Sequence, residues 1–308
     1  MKDITLRLKE CLSEISLGEP IQIGESAIFP LLGGSENESP FILSGPAIEA
    51  GTVEVTEINE GGSVPELLVT NHGNKPVLFP EGEILIGAKQ NRVVNLTVLI
   101  PAEANFRLPV SCVEQGRWFF KSRGFRSGPR ATPDIREAKQ RSVLRSRRET
   151  GEARSDQGEV WERVDDSLRM AACMSSTMDF CEGIEKERKE RGSSEPIPEL
   201  PQDARGIIAI RGDRVVGMDL FDSPETFSRL KERLVEAYIF GQGREEKPSE
   251  MPVARIADDF LTKVALSARS SDKPIGLGEQ IEIESSDLVG TGLWYEDRPC
   301  HIAAFGTR

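Results

Sequence analysis

Between residues 64 and 88 the chain alternates short apolar runs with turn clusters, and this rhythm constrains the fold more than any other feature. Residues 64–70 and 76–79 are apolar runs separated by Asn71-His72-Gly73-Asn74, and Pro80-Glu81-Gly82 precedes a further run over 83–88. Runs of this length between Asn, Gly and Pro clusters read as strands at hairpin spacing. "QNRVVNLTVLIP" and "NFRLPVSCVE" continue the pattern. The first 120 residues are therefore expected to form an antiparallel sheet or sandwich.

Farther along, the period changes. Residues 122–133, "SRGFRSGPRATP", are rich in Gly, Pro and Arg and read as loop. Residues 133–148 and 159–174 read as helices, the second with Val160, Val164, Leu168 and Ala171 on one face. Residues 178–191 read as a charged helix, and "GSSEPIPELPQD" (192–203) as a Pro/Ser linker. Beyond it, residues 207–210 and 215–220 flank a hairpin turn. Ser223 caps a helix with Pro224 at its first position, a buried stripe of Phe227, Leu230, Leu234 and Tyr238, and a stop at Gly241. Ile256, Phe260 and Val264 mark another helix before the closing strands. Ile4, Leu6, Leu8 and Leu12 read as one face of a short opening helix. The expected class is α+β: a strand-rich antiparallel N-terminal sheet or sandwich over 1–125, a helical middle segment with a basic stretch and linker over 126–203, and a smaller α+β C-terminal part over 204–308.

Composition narrows the function. No apolar run approaches the roughly 20 residues of a membrane-spanning helix, and the charged N-terminus lacks the apolar core of a secretory signal. Five cysteines without a CxxC pair point to free thiols in a reducing, cytoplasmic setting. Only two histidines are present, His72 and His301, which argues against a histidine-rich metal site. Asp165-Asp166 and Asp258-Asp259 read as solvent-facing helical pairs, so no metal is expected. The net charge of −12 opposes nucleic-acid and anionic-membrane affinity. That charge is uneven: residues 121–154 hold eleven Lys/Arg against four Asp/Glu, leaving about −19 for the rest. The basic stretch reads either as a solvated helix and loop lying against acidic neighbours or as an arm for phosphate or nucleic acid.

Gln90, Asn91 and Arg92 interrupt an apolar run. If residues 83–98 kept one strand parity, Gln90 and Arg92 would fall on the same side as Ile84, Ile86, Val94 and Leu96; a turn at 87–89 would reset it. Arg92 among apolar neighbours calls for a carboxylate or an anionic ligand, and Glu81 and Glu114 are the nearest candidates. Two readings compete. In one, these groups pin loops together. In the other, the forks of Arg92 and Arg117 hold a carboxylate or phosphate, Gln90 and Asn91 read polar edges, and Trp118 stacks on a ring. Cys112 and Arg117 miss the Cys-x5-Arg spacing of a phosphatase loop by one residue, so Cys112 reads as a buried thiol. No P-loop is present, and "GLGEQ" lacks the third glycine of a dinucleotide fingerprint.

The run "KPVLFPEGEILIGAKQNRVVNLTVLIPA" followed by "LPVSCVEQGRW" resembles the ARG (ADP-ribosylglycohydrolase) and rhodanese-phosphatase-superfamily-associated protein family, through Glu81, Gly82, Gly87, Gln90, Asn91, Arg92, Pro109, Val110, Cys112, Val113, Glu114, Gly116, Arg117 and Trp118. The resemblance implies functional association with ADP-ribosylglycohydrolase-type or phosphatase-type proteins, and by analogy a phosphorylated nucleotide such as ADP-ribose. It supplies no assigned catalytic residue and no cofactor. The leading expectation is a binder of an anionic, nucleotide-like small molecule. The alternatives are a hydrolase of the same ligand with Glu114 or Glu81 as general base, and a nucleic-acid or protein-interaction module working through 121–154.

Overall fold

The computed structural model describes residues 3–34, 38–59, 65–192, 197, 199–241 and 253–307. It is mixed α+β with a strand-rich N-terminal part. The chain divides into two compact units: Met1–Ser39, Ile197–Pro274 and Gly278–Arg308 form the first, and Pro40–Pro196 with Ile275–Leu277 the second. The N-terminal residues join the C-terminal ones because strand Ser26–Leu32 pairs along its length with Ala204–Arg211. Composition, which drew boundaries at 125 and 203, does not register so long-range a pairing. Much of the 192–203 linker (193–196 and 198) lies outside the described residues.

Within the first unit the sheet is antiparallel throughout. Its spatial order is Ser16–Leu17, Ser26–Leu32, Ala204–Arg211, Arg214–Phe221, Arg298–Gly306, Leu288–Tyr295, Glu279–Glu284 and Ala268–Ser270, with Ile21–Ile23 also on Ser26–Leu32. Side chains alternate between two covered faces. Ile208, Ile210 and Leu220 pack with Leu8 and Leu12 of helix Ile4–Ser13 and Val264 of helix Val253–Ser267. Ile207, Ala209 and Phe221 pack with Phe227 of helix Pro224–Ser228 and Leu234 of helix Lys231–Ile239. The single helix read over 224–239 is thus two short ones, broken at Arg229 and Leu230. Leu6 falls on the outer side of the opening helix and is exposed. Buried Asp219 crosses the core, taking a hydrogen bond from Tyr238 Oη at 2.8 Å and lying 2.7 Å from His301 Nε2. No helix among the described residues is long and apolar enough to cross a membrane.

The second unit is built on a six-stranded antiparallel sheet ordered Phe125–Arg130, Glu83–Gly87, Arg92–Val94, Ala104–Cys112, Glu66–Asn71 and Val53–Glu57. A smaller sheet of Val98–Ile100, Val77–Phe79 and Ile42–Leu43 has one parallel pairing, between the last two. Helices Ser44–Glu49, Pro133–Thr150, Gln157–Met170 and Phe180–Arg191 complete it. The segment read as a loop over 122–133 is corrected: Phe125–Arg130 is an edge strand on Glu83–Gly87, and an irregularity between Ser127 and Arg130 admits Pro129.

The basic stretch is corrected as well. Helix Pro133–Thr150 buries Arg136, Lys139 and Arg147 rather than solvating them. Their placement follows from Glu81, whose carboxylate is wholly enclosed. Arg136 donates to its Oε2 from Nε at 2.9 Å and Nη2 at 2.8 Å, and Lys139 Nζ donates to Oε1 at 2.6 Å. Lys139 also donates to the carbonyls of Val94 and Asn95 at 3.0 and 2.8 Å, tying the helix to the sheet. Burial raises the Glu81 pKa, but the two cations outweigh it and hold the carboxyl below its usual range. Burial pushes Lys139 down to about 8, against the pull of Glu81. Removing this anion strips Arg136 and Lys139 of the buried carboxylate they share. Glu81→Gln should therefore lower stability by about 3–5 kcal/mol in urea unfolding; a loss under about 1 kcal/mol would mean that the helix is anchored elsewhere.

Candidate functional site

The Gln90-Asn91-Arg92 tract lies at a tight turn between strands Glu83–Gly87 and Arg92–Val94, which resets the strand parity. Gly87 has φ 147° and Ala88 φ 39°. A Cβ at Gly87 would stand 2.5 Å from the Gly124 carbonyl oxygen, so the turn accepts no side chain there.

Asn91 is the hub of this turn. Its Oδ1 accepts from Gly87 N at 3.1 Å and from Arg117 Nη2 at 3.4 Å. Its backbone N–H donates to Glu114 Oε2 at 3.1 Å, and its Nδ2 donates to both oxygens of Asp179 at 3.0 Å. Behind it stands a buried ion pair: Arg117 donates to Glu114 from Nε and Nη2, each at 2.7 Å, with Thr177 Oγ1 donating to Oε1 at 3.1 Å. The remaining Arg117 nitrogen, Nη1, donates to the carbonyls of Ala88 at 2.5 Å and Phe119 at 3.1 Å. Both Glu114 and Arg117 are thus consumed in fixing the turn and the loop beyond Trp118. Burial raises the Glu114 pKa, but the bonds from Arg117 and the Asn91 amide outweigh it and the net shift is downward.

Arg92 is fully buried. Its Nη1 donates to Gln90 Oε1 at 2.7 Å and to Cys112 Sγ at 2.9 Å. Gln90 Nε2 donates in turn to the Gln115 carbonyl at 3.2 Å. Among the described residues the Nε and Nη2 of Arg92 have no hydrogen-bond partner, and Glu57 Oε1 is 3.6 Å from Nη2. Trp118, 45% exposed, carries the Arg92 guanidinium 5.5 Å and the Lys89 ammonium 5.3 Å from its ring centroid. Cys112 is buried, and burial pushes its thiol up to about 11, out of the nucleophilic range. Glu81 stands apart: its carboxylate accepts from Arg136 and Lys139, its backbone N–H donates to Thr97 Oγ1, and it shares no bond with the Glu114 group among the described residues.

The hub opens on a cleft of about 550 Å³ lined by Asn91 and Asp179 together with Lys121, Arg126, Glu182 and Glu185. Asp179 caps helix Phe180–Arg191 by accepting from Cys181 N at 3.0 Å. Burial raises its pKa, the Asn91 amide opposes the rise, and the Glu114 charge reinforces it. Lys121 and Arg126 belong to the basic stretch, one reading of which is a phosphate arm, whereas Asp179 is not singled out by the sequence reading. An aspartate at the start of the helix read at 178–191 is an N-cap signal, but nothing in the sequence joins it to Asn91, 88 positions away. Among the described residues no group of three or more His, Cys, Asp and Glu is placed to hold a metal ion.

No curated protein and no solved structure matches the chain. A family model covers residues 14–305, which include the Asn91 turn, the Glu114–Arg117 pair and Asp179. The chain accordingly belongs to the ARG and Rhodanese-Phosphatase-superfamily-associated Protein domain family.

Proposed function

We propose that the second unit binds an anionic, hydroxyl-bearing small molecule of the nucleotide or ADP-ribose type in the Asn91–Asp179 cleft. The observation that carries this reading is the convergence of a rigidly held amide and a buried carboxylate on a cavity rimmed by Lys121 and Arg126. Its volume of about 550 Å³ falls within the range of small-molecule sites. In this reading Lys121 and Arg126 take the phosphates, and Asp179 accepts from ligand hydroxyls. Asn91 fixes Asp179, itself held in place by Gly87, Glu114 and Arg117, while Trp118 lies against the Arg92 guanidinium. The family's association with ARG proteins favours ADP-ribose as the first ligand to test.

The hydrolase alternative moves to a different carboxylate. Glu81 and Glu114 are both lowered in pKa and fully bonded, whereas the raised carboxyl of Asp179 suits a general base. The nucleic-acid alternative loses support, since Arg136, Lys139 and Arg147 of the basic stretch are buried away from any phosphate backbone.

Three outcomes test the reading. Lys121→Glu combined with Arg126→Glu changes exposed side chains and should lower ADP-ribose affinity about ten- to a hundredfold by calorimetry; unchanged affinity would remove the ligand from this cleft. The second is a pH profile. The diphosphate of ADP-ribose stays ionised, so affinity should fall as acid protonates Asp179, at a pH above that of an ordinary aspartate because its folded pKa is raised. Asp179→Asn should flatten that profile, and a profile unaltered by the substitution would put the titrating group elsewhere. The third concerns Glu114→Gln, which strands the Arg117 guanidinium in the interior. It should cost about 3–5 kcal/mol of stability together with affinity. Turnover of ADP-ribose that vanishes in Asp179→Asn with binding intact would favour the hydrolase over the binder.

A further inference from the structure

The first unit holds its own cleft of about 510 Å³, lined by Arg7, Cys11, Gly34, Arg205, Asp222 and Trp294 among others. Two of these residues are buried and incompletely bonded. Arg205, 4% exposed, donates from Nε to the Phe221 carbonyl at 2.7 Å. Among the described residues its Nη1 and Nη2 make no hydrogen bond and no ion pair. Asp222, 1% exposed, accepts at Oδ2 from Ser39 Oγ at 2.5 Å, while its Oδ1 has no hydrogen-bond partner among the described residues. The guanidinium and the carboxylate line one cavity yet form no ion pair with each other within 4 Å. The terminal nitrogens of Arg205 reach the cavity, Asp222 Oδ1 is buried without a bond among the described residues, and one molecule bonding both groups would relieve the cost of that unsatisfied oxygen.

Local structure holds the two groups in place. Asp222 follows strand Arg214–Phe221, where Ser223 and Thr226 cap the next helix and Ser39 reaches its carboxylate. Gly34, at φ 95°, lies so close to Arg205 that an added Cβ would stand 1.7 Å from Nη1. Trp294 forms another wall, with the Arg7 guanidinium 5.2 Å from its ring centroid. Burial lifts the Asp222 pKa and lowers that of Arg205, outweighing the attraction between their charges.

We propose that this cleft is a second small-molecule site, for a phosphate or carboxylate anion that carries a neighbouring hydroxyl. The planar fork of Arg205 takes the anion through Nη1 and Nη2, and Asp222 Oδ1 accepts the hydroxyl. The requirement for both groups in one ligand selects phosphorylated or carboxylated polyols over simple anions.

The experiment is calorimetry on the full chain carrying Lys121→Glu and Arg126→Glu, so that the Asn91–Asp179 cleft contributes nothing and failure there is separable from failure here. The probes are methyl phosphate, glycerol phosphate and glycerate. Glycerol phosphate should bind about ten- to a hundredfold more tightly than methyl phosphate, which has the anion without the hydroxyl. Asp222→Asn should erase most of that preference, and Arg205→Lys, which keeps charge but loses the fork, should weaken both. Gly34→Ala leaves Arg205 intact chemically but drives its guanidinium from the cleft, so it should mimic Arg205→Lys even if that variant folds poorly. Comparison of glycerol phosphate with glycerate decides which anion the fork prefers. Absence of binding by all three probes, or binding indifferent to Asp222→Asn and Gly34→Ala, would overturn the proposal.

Discussion

The buried Glu114–Arg117 pair is the interaction on which the second unit's cleft depends. Arg117 spends its guanidinium on one carboxylate and on the carbonyls of Ala88 and Phe119, and Glu114 reaches onward to the Asn91 amide. Each bond closes a distance that the chain alone would leave open: a hairpin turn, a strand end and the loop after it are drawn onto one centre. Buried pairs of this kind contribute little net stability over apolar packing, yet breaking one is costly. Their value here is positional. They hold the Asn91 side chain so that its Nδ2 has one destination, Asp179.

A second buried cluster does comparable work around Glu81. Glu81 draws Arg136 and Lys139 inward, and Lys139 reaches past it to two sheet carbonyls. The two clusters divide the labour of the polar motif residues. Glu81 fastens the long helix to the sheet, whereas Glu114 shapes the turn that borders the cleft. Loop pinning and ligand recognition, which competed as explanations for these residues, therefore describe successive layers: the motif residues pin, and the surface they pin offers Asn91 and Asp179 to a ligand.

Much of the architecture was legible in the sequence because it is local. Asn71–Asn74 and Pro80–Gly82 sit between strands, helix Pro133–Thr150 begins at the proline that marks it, and Ser223 caps the helix it precedes. The polar tract at 90–92 and the Glu114–Trp118 run stood out by burial logic and do share one network. What escaped was non-local. The pairing of Ser26–Leu32 with Ala204–Arg211 leaves no trace in composition, and Pro129 hid an edge strand whose irregularity accommodates it. The burial of Arg136, Lys139 and Arg147 was missed because charge patterning reports the number of cations and not the buried carboxylate that gathers two of them. Asp179, Lys121, Arg126, Arg205 and Asp222 acquire their roles only once distant segments meet.

The central claim is that a ligand meets the second unit at Asn91. Nuclear magnetic resonance of the isotope-labelled full chain reports this directly, through the side-chain amide of Asn91 and the backbone amides of Gly87, Ser122 and Cys181 during titration with ADP-ribose. The account expects saturable shifts concentrated on these groups, with the Asn91 Nδ2 protons among the most displaced, since their acceptor Asp179 gains a new partner. Saturable shifts that leave Asn91 and its neighbours unmoved and gather instead on residues 204–308, or no shifts at any ligand concentration, would contradict it.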